Sequence, residues 1–167
     1  MKKVFLFLFI SLFIAGCTKK TETEYMNKAK ESWQKNDITE AINAYESLVK
    51  DYPGGVQAPK ALMELGKIYQ YKVDKRLTDR ESLDKAVETF KKLYARYPKS
   101  DEAPLALFMI AFIQANELQM YDEATKNYKL FIEKFPEHPM AQNAKDELST
   151  MGMTPDQILS RRLDENN

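Results

Sequence analysis

The sequence predicts an all-α fold, a solenoid of about three stacked helical hairpins with a C-terminal capping helix or helices. Two alignments within its 167 residues carry that expectation, and the glycine count agrees with it. The motif A-x3-[YF]-x2-[LF]-x3-[YF]-P occurs three times without a gap, over residues 41–53, 86–98 and 124–136. Its apolar spacings of four, three and four follow one face of a helix, and the closing proline stops that helix. The segments after each proline also align, with Ala58, Ala103 and Ala141, then Ala61, Ala106 and Ala144, then Leu65, Ile110 and Leu148. Only five glycines are present, so alanine does most of the small-residue work that close-packed helices need.

The elements follow in chain order. Helices are expected over residues 22–35 and 38–51, the second opened by Asp37 with Glu40 in the manner of a capping box. The next pair covers 57–72 and 81–96, with Pro59 near the first start and Thr78 with Glu81 before the second. A third pair covers 102–118, with Pro104 near its start, and 121–134. Two shorter helices, 140–150 and 155–163, do not complete a fourth hairpin. Ile158 and Leu159 are expected to cover the open end, because each repeat of a solenoid buries its face only against a neighbour.

The first residues do not belong to this array. Met1-Lys2-Lys3 is a basic stretch, and residues 4–15 are apolar except for Ser11. Twelve residues make about 18 Å of helix, short of a bilayer core of roughly 30 Å, so residues 1–16 read as a cleaved signal peptide. Ile14-Ala15-Gly16-Cys17 resembles a bacterial lipobox, and the only cysteine of the chain stands at its end. The resemblance implies a lipidated Cys17, an anchor of two or three acyl chains, and residues 17–24 as a polar tether. Thr18 in place of aspartate implies export to the outer membrane, with the fold facing the periplasm.

Composition narrows the function classes. Lys and Arg number 25 and Asp and Glu 25, so nothing favours nucleic acid. Loss of Lys2 and Lys3 with the leader leaves 23 basic against 25 acidic side chains. One cysteine and one histidine provide no disulfide, no metal cluster and no paired imidazoles. No phosphate loop or nucleophile motif is present, His138 sits in a turn, and no catalytic residue, metal or cofactor is expected.

The repeat pattern resembles the tetratricopeptide repeat, a helix–turn–helix of 34 residues. Register over residues 25–163 gives repeats at about 22–53, 56–98 and 101–136, with a partial one at 139–163. The small residues Ala29, Gly66 and Ala111 of the first helices then face Ala41, Ala86 and Ala124 of the second. Ala29 precedes Ala41 by twelve, whereas the second repeat carries eight extra residues and the third carries one. By the same resemblance the first helices line a concave groove holding Met26, Lys30, Trp33, Met63, Lys67, Tyr71, Phe108, Phe112 and Asn116, with Trp33 equally open to burial. The basic stretch Lys72, Lys75, Arg76 and Arg80 reads first as a solvated loop lengthening the second hairpin and second as a contact for anionic lipid, peptidoglycan or a partner.

Lipobox, short tether and YP-ended repeats together resemble the BamD family, outer-membrane lipoproteins of the β-barrel assembly machinery, here in a shortened form. That resemblance implies a non-enzymatic scaffold whose partners are the barrel insertase complex or unfolded outer-membrane proteins. A Tol-Pal or peptidoglycan-associated adaptor for cell-wall proteins is the first alternative, and a membrane-tethered enzyme, opposed by the absence of a convergent polar site, is the second.

Overall fold

The computed structural model describes residues 19–165, and Cys17 with the expected leader lies outside them. Eight α-helices follow one another. They are α1 (Glu22–Gln34), α2 (Ile38–Asp51), α3 (Ala58–Gln70), α4 (Asp79–Arg96), α5 (Ala103–Phe112), α6 (Tyr121–Lys134), α7 (Ala141–Thr150) and α8 (Pro155–Glu165). A π-helical turn, Ile113–Glu117, prolongs α5. The hairpins α1/α2, α3/α4 and α5/α6 stack in sequence, and α7 packs on α6. This is the expected all-α tetratricopeptide-like array.

The starts and stops have local causes. Thr21 and Thr78 each form a full capping box, in which the threonine oxygen accepts from Glu24 N–H or Glu81 N–H and the glutamate accepts in return. Asp37 accepts from Glu40 N–H at 3.0 Å. Pro59 and Pro104 lie in the first turns of α3 and α5, where a missing N–H is harmless. Helices α2, α4 and α6 end at Tyr52, Tyr97 and Phe135 with φ of −129°, −128° and −132°. The proline that follows pushes each of these residues out of the helical region. Inside every hairpin one residue adopts a left-handed conformation to turn the chain: Asn36 at φ 58°, Lys72 at 54° and Gln119 at 55°.

The core falls into two adjoining clusters, one from α1 to α5 and one around α5, α6 and α7. Ala29, Ala41, Ala86, Ala111 and Ala124 are all fully buried, as are Phe90, Leu48, Leu93, Tyr128 and Phe131. One detail differs from the expected small-on-small crossing. The space beside Gly66 is taken by the Phe90 ring, whose Cε1 lies 2.5 Å from where a Cβ on Gly66 would stand.

The two insertions take different forms. The eight extra residues make the α3–α4 loop, pinned by Asp74, which is 6% exposed and pairs with Arg76 at 2.8 Å. The single extra residue of the third repeat is absorbed as the π turn, where Leu118 N–H donates to the Ile113 carbonyl at 3.0 Å. Buried Gln114 stabilises it from within, its Oε1 accepting from Asn127 Nδ2 at 2.7 Å.

Two ends differ from expectation. Residues 19–24 are not a free tether: α1 starts at Glu22, and Lys19 Nζ donates to the Asp51 carbonyl at 2.7 Å. At the other end α8 touches α7 through Arg161, which donates to the Ser149 carbonyl. Leu159 remains 58% exposed and Ile158 is half-buried, so the lid these two were expected to form is incomplete.

Candidate functional site

A groove of about 830 Å³ runs between α1 and α3. Met26, Lys30 and Trp33 recur at four- and three-residue spacing along α1, and Lys60, Met63, Glu64 and Lys67 do so along α3. Each set therefore occupies one helix face. Met26 and Met63 are each 4% exposed and form the floor, where their sulfur-bearing chains also belong to the core. Trp33, 39% exposed, and Tyr71, 62% exposed, stand at the ends of α1 and α3 as an aromatic rim. Trp33 thus takes the open position of the two the sequence allowed.

The groove's charges are sparse. Lys67 Nζ bonds the Glu64 carboxylate at 2.9 Å, which leaves Lys30 and Lys60 as exposed ammonium groups and Glu102 as a carboxylate at the α5 margin. Tyr45 reaches the floor from α2, and burial, with the Glu64 carboxylate adding to it, pushes its phenol up to about 12. That phenol is neutral throughout the physiological range and acts only as a hydrogen-bonding group.

The third repeat's candidates do not join this groove. Phe108 is 5% exposed, its ring 5.6 Å from both Tyr128 and Phe131 in edge-on contact and 6.3 Å from Phe112. Asn116 instead donates to the Glu147 carboxylate of α7 at 3.1 Å. The reason is composition. Helix α5 (APLALFMIAF) is apolar on every side, and Phe108 packs into a second core cluster with Tyr128 and Phe131, separate from the one that holds Met26 and Met63, while Leu105, Met109 and Phe112 stay half-buried. Tyr45, Gln57, Glu64, Ile68 and Glu102 line the groove although they were not among the expected residues. Glu64 was findable, standing four residues after Lys60 and three before Lys67 on the same face.

Other candidates resolve into structure. Lys72 pairs with Glu117 at 3.0 Å and Arg76 with Asp74 in the long loop, and Arg80 pairs with Asp84 at 3.1 Å along α4, so these three cations of the basic stretch have partners within the fold. His138 Nδ1 accepts from Met140 N–H at 3.2 Å, and its ring meets Phe131 edge-on. Among the described residues no group of His, Cys, Asp and Glu could hold a metal ion, and no helix is long and apolar enough to cross a membrane.

The family model of the YfiO outer membrane lipoproteins, the BamD family, matches residues 18–152. The chain belongs to that family. The match spans all three hairpins and α7 of this YfiO-family chain, including the whole groove. No curated protein matches its sequence. Among solved structures, the crystal structure of MamA protein is similar at 23% identity and a TM-score of 0.46, over 76% of this chain and 70% of that one.

Proposed function

We propose that this chain is a lipid-anchored, periplasm-facing scaffold of the bacterial outer membrane that holds extended protein segments in the α1–α3 groove during β-barrel assembly. It performs no catalysis. The observation that carries the reading is the groove itself: an apolar floor of Met26 and Met63 beneath the open rings of Trp33 and Tyr71, inside a YfiO-family array. Methionine adapts its shape to varied apolar side chains, and open aromatic rings supply contact area at small entropic cost. Lys30 and Lys60 supply two cations for a carboxylate-bearing segment. The anchor is Cys17, the last residue of the lipobox. The family match begins at the next residue, Thr18, which suits a mature chain starting at the cysteine.

Photocrosslinking in cells tests this reading, with a photoreactive residue placed at Trp33 and, as a control, at Lys129 on the exposed side of α6. Adducts to the barrel insertase or to unfolded barrel proteins from position 33 and not from 129 are expected. Recovery of Tol-Pal or cell-wall proteins instead would replace the assembly role with an adaptor role. A Cys17→Ser variant that still carries acyl label would remove the anchor from the proposal.

A further inference from the structure

The edge of the array that holds the N-terminus carries a hydrogen-bonded turn with one protruding apolar side chain. Residues 19–21 cross the end of the first hairpin, and they and the first turn of α1 bond to α2 and the turn that follows it. The Lys19 ammonium donates to the Asp51 carbonyl at 2.7 Å and stands 4.6 Å from the centre of the Tyr52 ring. Tyr52 Oη donates to the Lys20 carbonyl at 2.9 Å. The Glu22 carboxylate accepts from Gln57 N–H at 2.9 Å, in space that a Cβ on Gly55 would occupy. From the other side Tyr97 Oη donates to the Pro53 carbonyl at 2.7 Å. The turn between α2 and α3 is therefore locked beside residue 19.

At the tip of that turn stands Val56, 83% exposed, the most exposed large apolar side chain among the described residues. Gly54 and Gly55 precede it and provide no side chain to screen it. A single exposed valine on a free surface needs no explanation. This one is held beside the chain's attachment point. Cys17 lies two residues before Lys19, and two extended residues reach at most about 7 Å.

We propose that this edge is a lipid-facing surface on which the array stands. Val56 enters the boundary between head groups and acyl chains, and the Lys19 and Lys20 ammonium groups, which keep N–H bonds beyond their contacts to Asp51, Tyr52 and Tyr25, meet lipid phosphates. The inference rests on the lipidation of Cys17 proposed above. Acyl chains on Cys17 hold the 53–57 turn near head-group depth, with Lys19 and Lys20 beside it and the Glu22 carboxylate turned onto the Gln57 N–H. The turns inside the hairpins, at residues 35–37 and 71–78, form the opposite edge, about 20 Å away along helices of 13 and 14 residues. Upright standing fixes the groove's direction. Its aromatic rim, Trp33 and Tyr71, points away from the bilayer into the periplasm.

The test uses the full chain, made with its leader and reconstituted into vesicles of phosphatidylethanolamine and phosphatidylglycerol. Acylated Cys17 is unreactive, so Val56→Cys or, separately, Lys75→Cys offers the single thiol for an environment-sensitive fluorophore. The expected result is a blue-shifted probe at position 56, quenched at least twofold more by bilayer nitroxide lipids than by aqueous iodide, with the reverse order at position 75. If the protein floats with the vesicles while both probes respond alike to iodide, the standing edge is overturned and the anchor survives. If it fails to float, the anchor and this inference fall together.

Discussion

Replacing Gly66 by alanine sets two opposing effects against each other at the closest approach of α3 and α4. Gly66 is inside α3, where alanine is favoured over glycine by about 1 kcal/mol. Against that gain, the new Cβ would lie 2.5, 2.6 and 2.8 Å from Cε1, Cζ and Cδ1 of Phe90. Ordinary carbon contacts are roughly 3.5–4.0 Å, so the ring must retreat by about an ångström. Phe90 is fully buried and has no solvent side to retreat into. Overpacking of this kind costs about 1–3 kcal/mol, which outweighs the propensity gain and leaves a net loss of about 1 kcal/mol. In urea, where m is about 1–3 kcal/mol/M for small domains, the midpoint falls by roughly 0.3–1 M.

The internal controls make this reasoning strict. The first and third hairpins carry alanine with tyrosine at the matching places, Ala29 with Tyr45 and Ala111 with Tyr128, and all four are buried. Those hairpins leave room for a Cβ that the second does not. Trimming the ring restores that room, so Gly66→Ala in a Phe90→Leu background is neutral or stabilising, a coupling of about 1–3 kcal/mol. Gly54→Ala, whose Cβ meets nothing within 4 Å, leaves the stability within about 0.5 kcal/mol of wild type. A Gly66→Ala protein melting at or above wild type would refute the argument, because the ring would then have yielded at no cost.

Three further outcomes follow from the same contacts. The Tyr45 phenol stays protonated to about pH 12 in the fold but ionises near 10 once unfolded; stability is thus full below pH 10 and falls as pH rises towards 12, by up to about 1.4 kcal/mol per unit. Burial raises the Tyr69 and Tyr128 phenols too and steepens the fall, so a urea midpoint that stays flat from pH 9.5 to 11.5 would contradict the burial of all three. Tyr97→Phe removes the hydroxyl that donates to the Pro53 carbonyl and costs about 0.5–1.5 kcal/mol, with faster amide exchange at residues 54–57; unchanged exchange there would show that the turn is held by other means. Asn127→Ala strands the buried Gln114 carbonyl oxygen and costs about 1–3 kcal/mol, a loss that Gln114→Met in the same chain largely recovers; equal stability of the single variant and wild type would mean water already satisfies that oxygen.

Periodicity states which face of a helix turns inward, and in this chain it was sufficient for the hairpins. The alanine–aromatic register, the pre-proline stops and the threonine caps are local or nearest-neighbour devices, so each can be read from a dozen residues. The π turn was legible only in part. The spacing of thirteen between Ala111 and Ala124, against twelve in the first repeat, announces one extra residue but not whether it enlarges the turn or the helix. The Gln114–Asn127 bond decides that, and it joins side chains thirteen residues apart. Depth within the groove was equally hidden. Met26 and Trp33 share one face of α1, yet one is floor and the other rim.

Neighbouring helices set that difference. The floor residue Met26 lies against the second helix and the next hairpin, whereas Trp33 sits at the end of α1, where the chain has begun to turn away. Neighbouring side chains also keep Phe108 out of the groove. Its register and burial match those of Met26 and Met63, but it sits in the second core cluster, whose rings Tyr128 and Phe131 come from α6. An aromatic ring in that setting gains more from Tyr128 and Phe131 than from solvent. The groove therefore ends where α5 becomes uniformly apolar, and its length is set by the amphipathicity of successive first helices. A polar substitution confined to the outer face of α5, at half-buried Leu105 or Phe112 and not at Phe108, is the change that would lengthen it.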